Sequence, residues 1–205
     1  MRRILVSAYA CEPLKGSEQS VGWIIVLELA KKNQVHVITR ANNQTPIEKN
    51  LPIEIKKNII FHYYDTPKLF KAFKNKSKGV YLYYIFWQIG IIPMIRQLTK
   101  EYKFSYSMHL TFGNVWLPTF LPLFKTPFIY GPLGGGEGIP DSFISTLSLK
   151  QRVVQRLRKL LKATVNINPF FIYCATKSNA IVCKSRDAAD LFPRRCKAKI
   201  SFLED

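Results

Sequence analysis

The chain has 205 residues and carries a formal charge of +18, with 47% apolar residues. That apolar share and length suffice for the core of one large domain, and exclude a disordered or collagen-like chain. Charge so far from zero speaks of partners, namely nucleic acid, an anionic membrane surface or an acidic substrate.

Ile4–Ala8 is a short apolar run that predicts a buried strand. Arg2 and Arg3 followed by Ile4–Cys11 imitate a short lipoprotein signal, but the apolar run is too short for a leader core. The loop Cys11–Glu18 follows, punctuated by Pro13 and Gly16. Val21, Ile24, Ile25, Leu27 and Leu29 recur at helical spacing up to Lys31, and Val35–Ile38 supplies a second strand. Strand, glycine loop, helix and strand make a βαβ unit with a right-handed crossover. Ligands of such sheets sit beyond the carboxyl ends of the strands, which places a binding site at the Gly16 loop.

Farther on, Ala41–Leu51 reads as a polar loop and Asn58–Asp65 as a third strand. Lys68–Lys78 is strongly basic and runs into Tyr81–Lys100, a helix bent or restarted at Pro93. Phe104–Leu110 is a fourth strand, Trp116–Phe124 a short helix, and Phe128–Tyr130 a fifth strand. Helices follow over Ser148–Ala163, near Pro169–Thr176 and over Arg186–Phe192, with strands at Ala180–Cys183 and Ala198–Leu203. The alternation predicts an α/β fold: one Rossmann-like, mainly parallel sheet of about seven strands, with helices on both faces, over residues 1–205.

The stretch Tyr130–Glu137, YGPLGGGE, carries three consecutive glycines after a strand. Such a run is poor for regular structure and suits a backbone that turns its N–H groups towards an anion. Neither glycine loop fits the dinucleotide-binding or P-loop spacing. Ser17 suits the N-cap of the first helix, and a helix N-terminus is also a ready anion site. His109 ends the fourth strand, at the ligand-bearing edge, where it is either a site residue or a buried, satisfied histidine. His36, inside the second strand, is structural, and His62 carries no signal either way.

Cys11, Cys174, Cys183 and Cys196 lack metal-ligand spacing, which fits reduced thiols in the cytoplasm. No RNP motif, zinc finger or recognition helix accompanies the charge, so nucleic acid is not the expected partner. Two basic amphipathic stretches, Lys68–Lys78 and Lys150–Lys162, suit peripheral contact with an anionic membrane surface. The ordinary alternative is a solvated helix face over a core stripe.

Read together, ILVSAYACEPLKGSEQSVGW, VHVITRANN, HLTFGNVW, YGPLGGGE and AIVCKSRDAADLF resemble, in order, the N-terminal half of family 4 retaining GT-B glycosyltransferases. The resemblance implies an acceptor-side Rossmann-like domain facing a nucleotide-binding one across a cleft. The nucleotide-sugar donor is a co-substrate, so no cofactor is implied, and the acceptor is lipid-linked or a polysaccharide. By matching motif, Gly16, Ser17 and Glu18 would lie at the donor phosphates and His109 near the transferred sugar, as the catalytic candidate. Gly134, Gly135, Gly136 and Glu137 would shape the cleft wall, and Ser185 would lie near the interdomain crevice. No metal is implied, because positive side chains and backbone donors stabilise the leaving diphosphate. The family's C-terminal domain, with its Glu-x7-Glu element, is missing from these 205 residues. The chain alone is therefore expected to transfer sugar slowly or not at all. Work at the inner face of the cytoplasmic membrane is the implied setting. The alternative is a non-catalytic membrane- or acceptor-binding module.

Overall fold

The computed structural model describes residues 1–67, 79–135, 137, 141–144 and 146–203. Seven parallel strands form one sheet: β1 (Arg2–Ser7), β2 (Asn33–Arg40), β3 (Ile59–Tyr64), β4 (Tyr106–His109), β5 (Phe128–Leu133), β6 (Ala180–Cys183) and β7 (Ile200–Phe202). Their spatial order is β3-β2-β1-β4-β5-β6-β7. The Rossmann-like α/β class expected from the sequence is therefore the observed one. The chain winds outward from β1 to β3, then crosses back to add β4 on the other side of β1, where Ile4 pairs with Tyr106 and Ser7 with His109. This reversal between β1 and β4 splays the loops at their carboxyl ends and opens a crevice.

Alternation along the strands sends side chains to two apolar layers. Ile4, Val6, Val35 and Val37 join Trp23, Val26 and Ala30 of α1 (Ser17–Ala30) on one face. Leu5, Ile38, Phe128, Tyr130 and Ile181 face the other side. There they meet α4 (Val80–Gly90), α5 (Ile92–Glu101) and α8 (Pro169–Lys177) through Tyr84, Trp87, Ile95 and Phe171. Helices thus cover both faces of the sheet.

Several local expectations are corrected. Residues 41–51 are not a loop: a 3-10 turn at Ala41–Asn43 leads into α2 (Gln44–Asn50), followed by α3 (Ile53–Lys56). One buried residue, Ile47, anchors α2, too little to give an amphipathic pattern. Residues 116–124 are not a helix. Pro118 and Pro122 interrupt it, and only a 3-10 turn at Leu121–Leu123 forms. Of the two expectations at Pro93, the restart is the one observed: the aromatic helix breaks at Ile91 and Pro93 falls in the first turn of α5, where its missing N–H is not needed. The basic stretch 68–78 lies outside the described residues. The remaining helices are α6 (Asp141–Ile144), α7 (Leu149–Thr164) and α9 (Arg186–Asp190). No helix among the described residues is long and apolar enough to cross a membrane. All four cysteines are buried and free.

Two histidines meet across β2 and β3. His36 Nδ1 lies 3.1 Å from His62 Nε2 and the rings stack at 5.3 Å, flanked by Tyr102 and Phe104. Burial above all, then His62 and Arg3, holds the His36 imidazole down to about 4, against an upward pull from Glu101. Burial also lowers His62, again opposed by Glu101. The unfolded chain takes up these protons near the ordinary 6.5, the folded chain only at lower pH. Folding therefore releases protons between the two values, and stability rises with pH there. The contribution is complete above 6.5 and is lost as pH falls towards 4. We expect the urea midpoint to drop between neutral pH and pH 4, and His36→Phe to flatten that drop. An equal drop in both proteins would place the sensitivity elsewhere.

Candidate functional site

The crevice at the strand reversal holds a cavity of about 430 Å³. Its walls come from distant parts of the sequence: Glu18 and Gln19 from the first turn of α1, Phe112 to Asn114 after β4, Gly134 after β5, and Lys184 after β6. Val80, Tyr81 and Leu117 supply an apolar side.

Each wall is held by contacts that the local sequence provides. Glu18 Oε1 accepts a 2.7 Å hydrogen bond from the Phe112 N–H, across 94 residues of chain. Phe112 sits in the left-handed region with φ 57°, an uncommon state for a residue with a side chain. Its ring is fixed there by stacking on Tyr84 at 5.1 Å and by an edge contact with Tyr9 at 4.5 Å. Thr111 Oγ1 accepts from the Ala10 N–H at 3.0 Å, which ties the ends of β1 and β4 together. The Gly134 N–H donates to the Gly113 carbonyl at 2.7 Å, joining the loops after β4 and β5. Gly113 has no room for a side chain, since a Cβ would collide with the Pro132 carbonyl.

The first turn of α1 supplies Glu18 and Gln19 to this cavity. The N-cap of α1 is Gly16, with φ 52° and ψ 164°, a residue with no side chain to cap the helix. Ser17 is the first helical residue and not the cap expected of it, because Gly16 takes the positive φ at the boundary. Ser20 donates to the Gly16 carbonyl and begins the helical ladder, so the N–H groups of the three residues before it have no acceptor inside the helix. Uncapped donors and the positive end of a 14-residue helix dipole make a place for an anion.

A second cluster lies beside the cavity. Glu137 accepts from the Gly135 N–H at 2.9 and 3.0 Å, and the Ser185 hydroxyl donates to it at 2.8 Å. Ser185 Oγ also accepts from the Ala188 N–H at 3.1 Å and caps α9. Partial burial raises the Glu137 carboxyl, but backbone N–H groups, Ser185 and the nearby Lys184 outweigh it and hold the group below its usual value. Gly135 takes φ 115°, a backbone state the glycine run permits. Gly136 lies outside the described residues.

His109 is only 1% exposed and is not among the residues lining the cavity. Its ring lies 6.4 Å from that of Tyr84 and 6.2 Å from that of Tyr130. The Tyr84 hydroxyl donates to the Pro118 carbonyl at 3.0 Å and accepts from Gln88 Nε2 at 2.9 Å. The long 3.5 Å approach of His109 Nε2 to that hydroxyl then suits an Nε2–H tautomer. Burial pushes the imidazole down to about 4, with partial compensation from the Phe112 backbone. His109 is therefore neutral at physiological pH.

Of the residues expected from sequence, Glu18 and Gly134 line the cavity, Gly16 begins the helix whose first turn lines it, and Glu137, Gly135 and Ser185 form the adjoining cluster. Lys184, Gln19 and Asn114 were not singled out by sequence. Lys184 had a positional signal, since it directly follows β6 at the ligand-bearing edge. Arg40, the last residue of β2, and Asn43 just beyond it turn inward: Arg40 Nε donates to the Tyr9 carbonyl at 3.0 Å, and Asn43 Nδ2 to Thr39 Oγ1 at 2.9 Å. No three His, Cys, Asp or Glu side chains gather as a metal site among the described residues. A scan against protein-family models finds no match, and a search of curated proteins finds no significantly similar sequence.

The Glu18–Phe112 bond predicts a measurable coupling. Glu18→Ala strips the acceptor from a part-buried N–H and should cost about 1–3 kcal/mol of stability. Glu18→Gln keeps an amide oxygen as acceptor and should cost less. Equal losses from the two in urea unfolding would show that the bond does not hold the walls together.

Proposed function

We propose that this chain is the acceptor-side half of a retaining glycosyltransferase, which passes a sugar from a nucleotide-sugar donor to a lipid-linked or polysaccharide acceptor. The observation that carries the reading is the crevice at the β1/β4 reversal, where the first turn of α1, Gly134 and Lys184 line one cavity. The five motifs resembling family 4 enzymes supply the reaction class.

In this reading the donor diphosphate rests against the first turn of α1, close to Gly16, Ser17 and Glu18. Charge gathers on the diphosphate as the glycosidic bond breaks. Backbone N–H groups and the Lys184 ammonium, already in place, favour that state over the ground state. Glu18 has its own role, because its carboxylate is committed to the Phe112 N–H and fixes the distance between the walls. Tyr81, Phe112 and Leu117 offer an apolar side against which a sugar or acceptor packs. For His109 to reach the transferred sugar, the Phe112 loop has to move, because the imidazole is buried. Glu137 and Ser185 brace the glycine loop in this account. Full turnover requires a nucleotide-binding domain opposite this wall, since both reactants must be positioned together.

The test is transfer or donor hydrolysis by this chain supplied with a GT-B C-terminal domain. Lys184→Ala should lower kcat/KM by roughly 10- to 1,000-fold, the range for loss of one charge-stabilising donor. Turnover unchanged by Lys184→Ala, or absent with every donor and domain supplied, would contradict the proposal.

A further inference from the structure

The helix α7 (Leu149–Thr164) sits on the molecule inside out. Leu149, Val153, Val154, Leu157 and Leu160 fall on one stripe at helical spacing, the pattern of a core-facing helix. Yet Val153 is 55% exposed, Val154 42%, Leu157 53% and Leu160 65%. Among the described side chains of the helix, the half-buried ones are Arg152, Gln155 and Lys162, on the opposite side. Arg152 Nε donates to the Leu147 carbonyl at 2.9 Å, just ahead of the helix. A capping box of Ser148 and Gln151 starts the helix, so its first turn is fixed by local sequence.

We infer that α7 is a docking surface for an anionic lipid bilayer, with its apolar stripe entering the interface. Charge selects this occupant. The helix contains no Asp or Glu; exposed Arg156 borders the stripe, and exposed Lys150 lies at the N-terminal end of the stripe itself. The whole chain carries +18. Juxtamembrane Lys and Arg each gain from the negative potential of anionic lipid, while the stripe gains by leaving water. A second copy is a poor occupant, because two-fold pairing would set one acid-free basic helix against another. At 16 residues α7 is about 24 Å long. It therefore lies along the interface and does not cross the bilayer, in keeping with the absence of a spanning helix among the described residues.

The surface does not rest on the cavity or its chemistry, so it is tested without any donor sugar. The full chain is sedimented with vesicles of phosphatidylcholine alone or mixed with phosphatidylglycerol, at low and high salt. Binding should need phosphatidylglycerol and should fall with salt. The double substitution Val153→Ser with Leu157→Ser changes exposed side chains only, and circular dichroism checks that it folds. It should weaken binding at least about tenfold, given two buried apolar side chains lost. Four results overturn the inference. The double variant binds as the unsubstituted chain does, so charge alone is at work. Neutral vesicles bind equally well. The chain binds no vesicle. Or it forms a dimer that the double variant abolishes, so that the stripe is a protein interface.

Discussion

The hydrogen bond from the Phe112 N–H to Glu18 holds the two sides of the sheet's turning point together. On one side the chain leaves β1 through the Gly16 loop into α1; on the other it leaves β4 through Phe112 into Gly113 and Asn114. Nothing in a parallel sheet obliges these loops to meet. The carboxylate makes them meet, and in doing so it spends its charge on a backbone donor. The cavity that remains is lined by Lys184 and by a Glu18 carboxylate already engaged. The proposal of an anionic ligand rests on that balance.

Aromatic packing underwrites the same geometry from below. Tyr9, just past β1, touches the rings of Tyr83, Tyr84, Trp87 and Phe112, and the Arg40 guanidinium lies 4.5 Å over its face. Burial pushes the Tyr9 hydroxyl up to about 12, so it stays neutral in this layer. The positive φ at Phe112 survives because its ring is pinned among these neighbours. Local backbone strain of this kind persists where the surroundings over-determine it, and here it borders the cavity. Charge follows a different rule. The site draws on few of the 31 basic residues, and most of the excess lies elsewhere, as on α7.

The sheet was legible in the sequence because its strands are short apolar runs bounded by turn residues, and α1 because its glycine loop marked its start. Three features were less legible, each for a physical reason. α2 hides in a polar stretch because a single side chain, Ile47, anchors it. Residues 116–124 have helical apolar spacing, but prolines and an Asn114 Oδ1 bond from the Trp116 N–H hold them in turns. α7 shows that periodicity finds an apolar stripe without saying which way it faces. At the site, Glu18, Gly134, Glu137 and Ser185 could be placed from motif position. Lys184 carried one signal, its place directly after β6, and nothing in its residue type set it apart from thirty other basic residues. The burial of His109 was equally invisible, since strand-end position sets the edge and not the depth.

The most direct test of the central claim, that the crevice is an anion site, is backbone amide NMR of the chain titrated with inorganic pyrophosphate. The account predicts saturable shifts centred on Glu18, Gln19 and Gly134, weakened in Lys184→Ala. Shifts that spread over the basic surface without saturating, and that ignore Lys184→Ala, would contradict it.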